Sequence, residues 1–182
     1  MMMRTMLVAA SLMLVPSLAH AQSADPLARA REGWIECHDA NTVSHTCSAF
    51  SAYRFLDSGE VMNDAIMHLN VEPLVIVYST STVYARGDLV CEQINRAAID
   101  SARVTVDGQP APREFDRQIK DAVWNVYIGV SELCTRTTTN GDVGSVTVFF
   151  DGVERPDLAV RFHWIRPDAG YTLAPAPETS HT

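Results

Sequence analysis

Short apolar segments interrupted by turn residues dominate the first half of the chain. Residues 50–56, 65–71 and 74–78 are rich in β-formers. They are separated by Asp57-Ser58-Gly59 and by Glu72-Pro73, and followed by a Ser/Thr run, all chemistries that favour turns. The middle segment alternates, with Ala65, Met67, Leu69 and Val71 on one side and His68 and Asn70 on the other, the period of a half-buried strand. A further strand is expected over 83–85 and 88–91, broken at Gly87.

The period changes after Pro112. Phe115, Ile119, Ala122, Val123, Val126 and Val130 recur at helical spacing, Pro112 suits a first turn, and Glu114 and Asp116 put negative charge near the positive end. The spacing predicts one principal helix over 112–130. Trp124, Tyr127 and Ile128 widen its apolar face, so it is expected to lie across a sheet and to be largely buried. The fold class expected is α+β: an antiparallel β-sheet or two-layer sandwich of about six to eight strands against that helix.

Two stretches flanking the helix share a pattern. Cys91 and Cys134 are each followed by a Val-Thr-Val strand (Val104-Thr105-Val106 and Val146-Thr147-Val148), an Asp-Gly pair (Asp107-Gly108 and Asp151-Gly152) and a proline (Pro110 and Pro156). Asp-Gly between apolar runs signals a tight hairpin, because both turn residues must tolerate positive φ. Two such units would put Cys91 and Cys134 at comparable positions.

The termini set the compartment. Arg4, an apolar run from Leu7 to Leu18 and Ala19-His20-Ala21 have the form of a secretory signal peptide cut after Ala21. The run is short of the roughly 20 residues needed to span a bilayer. No cysteine stands at the junction to carry a lipid, and no later run is long enough to span, so an exported, periplasmic protein without a membrane span is expected. The organisation expected is a signal at 1–21, an N-terminal segment at 22–33 with a short helix over 26–32, a single globular domain at 34–173 and a flexible tail at 174–182.

The 182 residues carry a net charge of −8, and removal of 1–21 takes away Arg4 to leave −9 on 161 residues. Such a field repels nucleic acid and anionic lipid surfaces, so neither is an expected partner. Lys120 is the only lysine, and no serine three residues before it makes a Ser-x-x-Lys nucleophile.

All four cysteines, Cys37, Cys47, Cys91 and Cys134, follow the signal, in a compartment that oxidises thiols. Of the three pairings that four cysteines permit, Cys37 with Cys47 and Cys91 with Cys134 is favoured: one closes a small loop, the other a long loop holding the helix. Chain entropy values them at about 3 and about 4 kcal/mol.

Candidate chemistry is sparse. Cys37, His38, His45 and Cys47 are zinc-ligand types, but adjacent Cys37 and His38 share one ion only in a tightly curled loop, and oxidised cysteines are not ligands. His38 and His45 are therefore read as solvated loop residues, and His68 and His163 as surface residues. No metal, cofactor or catalytic residue is expected, since Gly-x-Ser-x-Gly, His-Glu-x-x-His, the Walker loop, the dinucleotide glycine fingerprint and Cys-x-x-Cys are all missing from the sequence. The carboxylates Asp57, Glu60 and Asp64, and Asp151, Glu154 and Asp157, surround Gly and Pro turns, where exposed acids are the default. Tyr78, Tyr84 and Trp164, near strand ends, are the residues expected to form a binding surface, lining a groove or pairing with a partner strand.

Trp34-x-x-Cys37, a second cysteine ten residues on, Cys91 with its Val-Thr-Val-Asp-Gly stretch, and Trp164-x-Arg166-Pro167-Asp168-x-Gly170-Tyr171 before an Ala-Pro ending resemble small periplasmic proteins of alphaproteobacteria. That resemblance covers most of the mature chain and implies the compartment and the disulfides, without an activity. Trp34, Cys37 and Cys47 are also similar to the early Trp and Cys pair of the invasion-associated locus B family. Three readings of function follow: a non-catalytic binding or interaction module of the cell envelope with an envelope protein as partner; a small periplasmic hydrolase whose site forms only in three dimensions; and an inhibitor of, or protective factor for, an exported enzyme, with residues 135–144 as an exposed loop entering its target.

Overall fold

The computed structural model describes residues 25–70 and 72–174. The expected signal peptide, Val71 and the tail from residue 175 onwards lie outside the described residues. A short helix, α1 (Ala28–Arg31), leads into thirteen strands: β1 (Ile35–His38), β2 (Thr46–Cys47), β3 (Ala49–Phe55), β4 (Val61–Asn70), β5 (Val75–Arg86), β6 (Leu89–Gln93), β7 (Arg103–Val106), β8 (Gln109–Pro110), β9 (Glu132–Asn140), β10 (Val143–Phe150), β11 (Val153–Glu154), β12 (Val160–Ile165) and β13 (Thr172–Leu173). Helices α2 (Arg96–Ser101) and α3 (Arg113–Val126) flank β7 and β8.

Eight of the strands close on themselves. In ring order β1, β3, β4, β5, β6, β9, β10 and β12 each pair antiparallel with the next, and β12 returns to β1 through Ile35↔Ile165 to His38↔Phe162. Ring order is chain order, so this is an up-and-down barrel, an architecture that removes sheet edges by closure. Strand makes up 49% of the described residues and helix 18%. This corrects the α+β expectation of an open sheet or two-layer sandwich with one principal helix. Alternation of apolar and polar positions is the same in an open sheet as in a barrel; closure depends on pairing β1 with β12 across the length of the chain, which no local pattern encodes.

Strand β5 shows the second reason. The Ser/Thr run expected as a turn is its middle, and Ser79, Thr80, Ser81 and Thr82 all pair with β4. Its first four residues also pair with β7 and its last four with β6. The β7–β8 hairpin and the two helices thus form one insertion between ring strands β6 and β9, lying against the β5 side of the barrel.

Helix α3 is shorter and less buried than its spacing suggests. Phe115 and Ile119 pack on a cluster of Val75, Val77 and Val104, but no residue of α3 is fully buried, and Val126 is 50% exposed. Tyr127 ends the helix and Gly129 takes φ 81°, so Ile128 and Val130 lie beyond it, Ile128 well exposed. No helix among the described residues is long and apolar enough to cross a membrane.

Both Asp-Gly pairs form the expected turns, with φ 49° and 75° at Asp107-Gly108 and 49° and 83° at Asp151-Gly152. They join β7 to β8 and β10 to β11. Cys37 is bonded to Cys47 and Cys91 to Cys134; the second pair sits directly opposite on β6 and β9.

Candidate functional site: the polar half of the barrel interior

Residues directly opposite on neighbouring strands face the same side of a sheet, so the registers sort the ring into an inner and an outer set. On β10 and β12 the inner set is apolar: Val146, Val148, Phe150, Phe162 and Trp164 form a buried cluster, with Leu133 of β9 packed against it and Thr135 and Thr137 completing the inner face of β9. On the other arc the same face carries Glu36 and His38 of β1, Ser51 and Tyr53 of β3, Asn63 of β4, Ser79 and Ser81 of β5 and Glu92 of β6, linked by Glu36↔Ser51, Tyr53↔Asn63, Asn63↔Ser81 and Val83↔Glu92. An eight-stranded barrel has room to be filled by side chains or to hold one small ligand. Here the apolar arc is filled, while the polar arc encloses space.

Two cavities occupy that space. The inner one, about 110 Å³, is lined by Glu36, His38, Ser51, Tyr53, Asn63 and Glu92 among others. The outer one, about 270 Å³, lies between β4, β5 and the α2–α3 insertion; Met67, Val77, Ile99, Ile119 and Val123 give it apolar walls, and Asn63, Ser81 and Glu92 give it a polar end. Asn63 and Glu92 line both cavities and form the boundary between them.

The inner groups form one network. His38 Nε2 lies 3.3 Å from Glu36 Oε2 and 3.3 Å from Ser51 Oγ, and the Tyr53 hydroxyl donates to the Glu36 carboxylate. Burial, then the negative charge of Glu36 and Glu92, pushes the Tyr53 phenol well above its usual range. Burial also raises the Glu92 carboxyl, opposed by a hydrogen bond from Ser81. Tyr127, on the rim of the outer chamber, is raised by burial and then by the charge of Glu92. The Asn63 Oδ1 is buried with no hydrogen-bond partner among the described residues. Among the described residues no arginine or lysine lines the inner cavity. Lys120 lines the outer one and is held 2.9 Å from Asp116.

His38 therefore differs from expectation: it is a β1 residue pointing into the barrel, with 16% of its side chain exposed, and not a solvated loop residue. It brings a histidine, a serine and a carboxylate together, as a hydrolase would need. The geometry is wrong for a relay, however, because Ser51 and Glu36 both meet Nε2, whereas a triad histidine takes the serine proton on one nitrogen and is held by its acid through the other.

The residues expected to form a binding surface do not share one. Trp164 is 5% exposed inside the barrel, edge-on to Phe162 at 5.2 Å, because alternation along β12 turns Phe162 and Trp164 inward and His163 outward. Tyr78 lies under the Arg103 guanidinium at 3.5 Å. Tyr84 is outside, bonded to Glu132, with Gln93 donating to its hydroxyl at 3.1 Å. Residues 135–144 are no protruding loop: they belong to β9 and β10 around the two-residue turn Gly141-Asp142, and Asp142 is tied to Arg29 at 2.6 Å. His45 is in a loop, stacked on Tyr171 at 4.8 Å. Of the carboxylate clusters, Asp64 is paired with Arg54, Asp157 with Arg155 at 2.6 Å, and Asp151 is engaged by backbone amides. Cys91, Glu132 and Cys134 come close enough to surround an ion, but the two sulfurs are bonded to each other and offer no thiolate.

Glu36, Ser51, Tyr53, Asn63, Ser81 and Glu92 were not foreseen from the sequence. The signal was there in polar residues at period two, as in Val75-x-Val77-x-Ser79-x-Ser81-x-Val83, where the polar pair continues the buried face of the strand. Compared with family models, with curated proteins and with solved structures, the chain finds no match in any of the three.

Proposed function

We propose that this protein is a non-catalytic binding module of the cell envelope that holds one small molecule inside its barrel. The observation that carries this reading is the outer chamber of about 270 Å³, lined largely by apolar side chains and carrying Asn63 and Glu92 where it meets the inner cavity. Ligand sites are typically concave, mostly apolar and equipped with a few placed polar groups. The two disulfides suit an oxidising, exported location. The hydrolase reading is weakened by the shared His38 nitrogen. The inhibitor reading lacks its loop, and the aromatic partner surface is lost with Trp164 turned inside.

The test is a screen of small fragments, neutral, acidic and basic, by ligand-observed NMR on the oxidised protein. A second sample carries Ala98→Phe, which projects from α2 into the chamber. Hits that vanish in the variant are expected; a screen with no hit sensitive to Ala98→Phe overturns the reading.

A further inference from the structure

We propose that the molecule held in the chamber is an amine, with its ammonium group seated between Glu92 and Asn63 Oδ1 and an apolar body filling the space beneath α2 and α3. This rests on the binding reading above and adds the chemical class of the ligand.

Among the described residues, those shared by the two cavities offer acceptors and include no cation. Asn63 Oδ1 is a buried acceptor with no partner among the described residues, and such a group is costly unless something donates to it. Glu92 brings a carboxylate to the same place, with the Ser81 hydroxyl as its hydrogen-bond donor. The other titratable groups facing this point are Glu36, whose negative charge adds to the field; Tyr53 and Tyr127, neutral phenols; and His38, held against Glu36. Lys120 is engaged by Asp116 on its own helix. An ammonium supplies three donors and a positive charge, enough for Glu92, Asn63 Oδ1 and one hydroxyl. A neutral alcohol supplies one donor, and a carboxylate ligand would meet Glu92 and Glu36 as like charges. Desolvation of Glu92 is already part of the folded state, so a cation placed there completes a half-made ion pair, and charge-assisted hydrogen bonds are the stronger kind.

The experiment is isothermal titration calorimetry at pH 7.5 with three probes of one shape: 2-phenylethylamine, 2-phenylethanol and 3-phenylpropionate. The amine is expected to bind at least about tenfold tighter than the alcohol, and the carboxylate to give no heat. In Glu92→Gln, checked for folding by circular dichroism, the amine should lose about tenfold or more while the alcohol changes by less than about threefold. Lowering the pH should weaken the amine and leave the alcohol unchanged, because Glu92 becomes protonated. Equal or tighter binding of the alcohol or the carboxylate, or an amine affinity indifferent to Glu92→Gln, overturns the amine assignment, and so does the absence of heat from all three probes. The binding reading survives any of these results if the fragment screen still yields hits lost in Ala98→Phe, and falls only with that screen.

Discussion

Phe162 occupies the space that any side chain at Gly144 would need: a Cβ there would fall 2.3 Å from two atoms of its ring. The two are register partners on β12 and β10. Phe162 is fully buried and set edge-on against Trp164, so the ring has nowhere to move. Gly144→Ala is therefore expected to cost about 1–3 kcal/mol through overpacking, a fall in Tm of roughly 3–10 °C for a domain of this size. Thermal unfolding by circular dichroism checks it, and combining Gly144→Ala with Phe162→Leu should cost less than the two separate losses added together.

Glu92 makes the fold pH-sensitive in a definite direction. Burial raises its carboxyl above the usual value of 4.5, so in the window between the ordinary and the raised value the folded state holds a proton that the unfolded chain has already lost. Its contribution to stability is greatest below the ordinary carboxylate range and declines as pH rises through the raised folded value. Glu92→Gln removes the buried charge and should raise Tm at pH 7 by about 2–4 °C, with the gap to wild type narrowing as the pH is lowered toward 4. A variant less stable than wild type at pH 7 would show that Glu92 is better satisfied than its surroundings indicate. Gaining stability while losing the amine is the trade-off expected of a functional buried acid.

Much of the local structure was legible in the sequence. The Asp-Gly turns, the strand built around Ala65 and Met67, the helix starting at Arg113 and the pairing of the cysteines all rest on contacts between near neighbours or on simple counting. Barrel closure was not legible, because Ile35 meets Ile165 through two strands whose own patterns are complete without each other. The candidate site was hidden for a related reason. Ser79 and Ser81 read as turn chemistry, and His38 as a solvated loop residue, since polar residues are usually outside. Only the ring of registers shows that they face the same barrel interior, and Trp164 was placed on the surface because the face of β12 that turns inward depends on the same closure.

The two disulfides differ in what they constrain. Cys37 and Cys47 are 10 residues apart and Cys91 and Cys134 are 43 apart, so chain entropy assigns about 3 and about 4 kcal/mol respectively. Urea unfolding of Cys37→Ala/Cys47→Ala and of Cys91→Ala/Cys134→Ala should show the larger loss in the second, whose loop holds the entire α2–α3 insertion. The reverse order would mean that the constraint acts mainly in the folded state.

Asp151 supports two structural functions that substitution can separate. Its backbone takes φ 49° in the β10–β11 turn. Its carboxylate accepts from Ser131 N at 3.1 Å and Glu132 N at 2.9 Å, while its own amide donates to the Glu132 carbonyl at 3.0 Å. Asp107 repeats the arrangement on a smaller scale, with φ 49°, its carboxylate accepting from Leu74 N at 3.0 Å and its amide donating to Leu74 O at 2.8 Å. In both hairpins the turn aspartate thus anchors the start of a neighbouring ring strand, β9 in one case and β5 in the other. Asn tolerates positive φ and keeps an acceptor, so Asp151→Asn should cost less than about 1 kcal/mol. Asp151→Gly keeps the backbone conformation but leaves the two amides without their acceptor, at about 1–2 kcal/mol. Asp151→Ala adds strain at positive φ and should be the worst, at about 2–3 kcal/mol. Urea unfolding ranks the three: if glycine and alanine prove equal, the turn conformation carries no weight, and if glycine matches wild type, the carboxylate does not anchor β9.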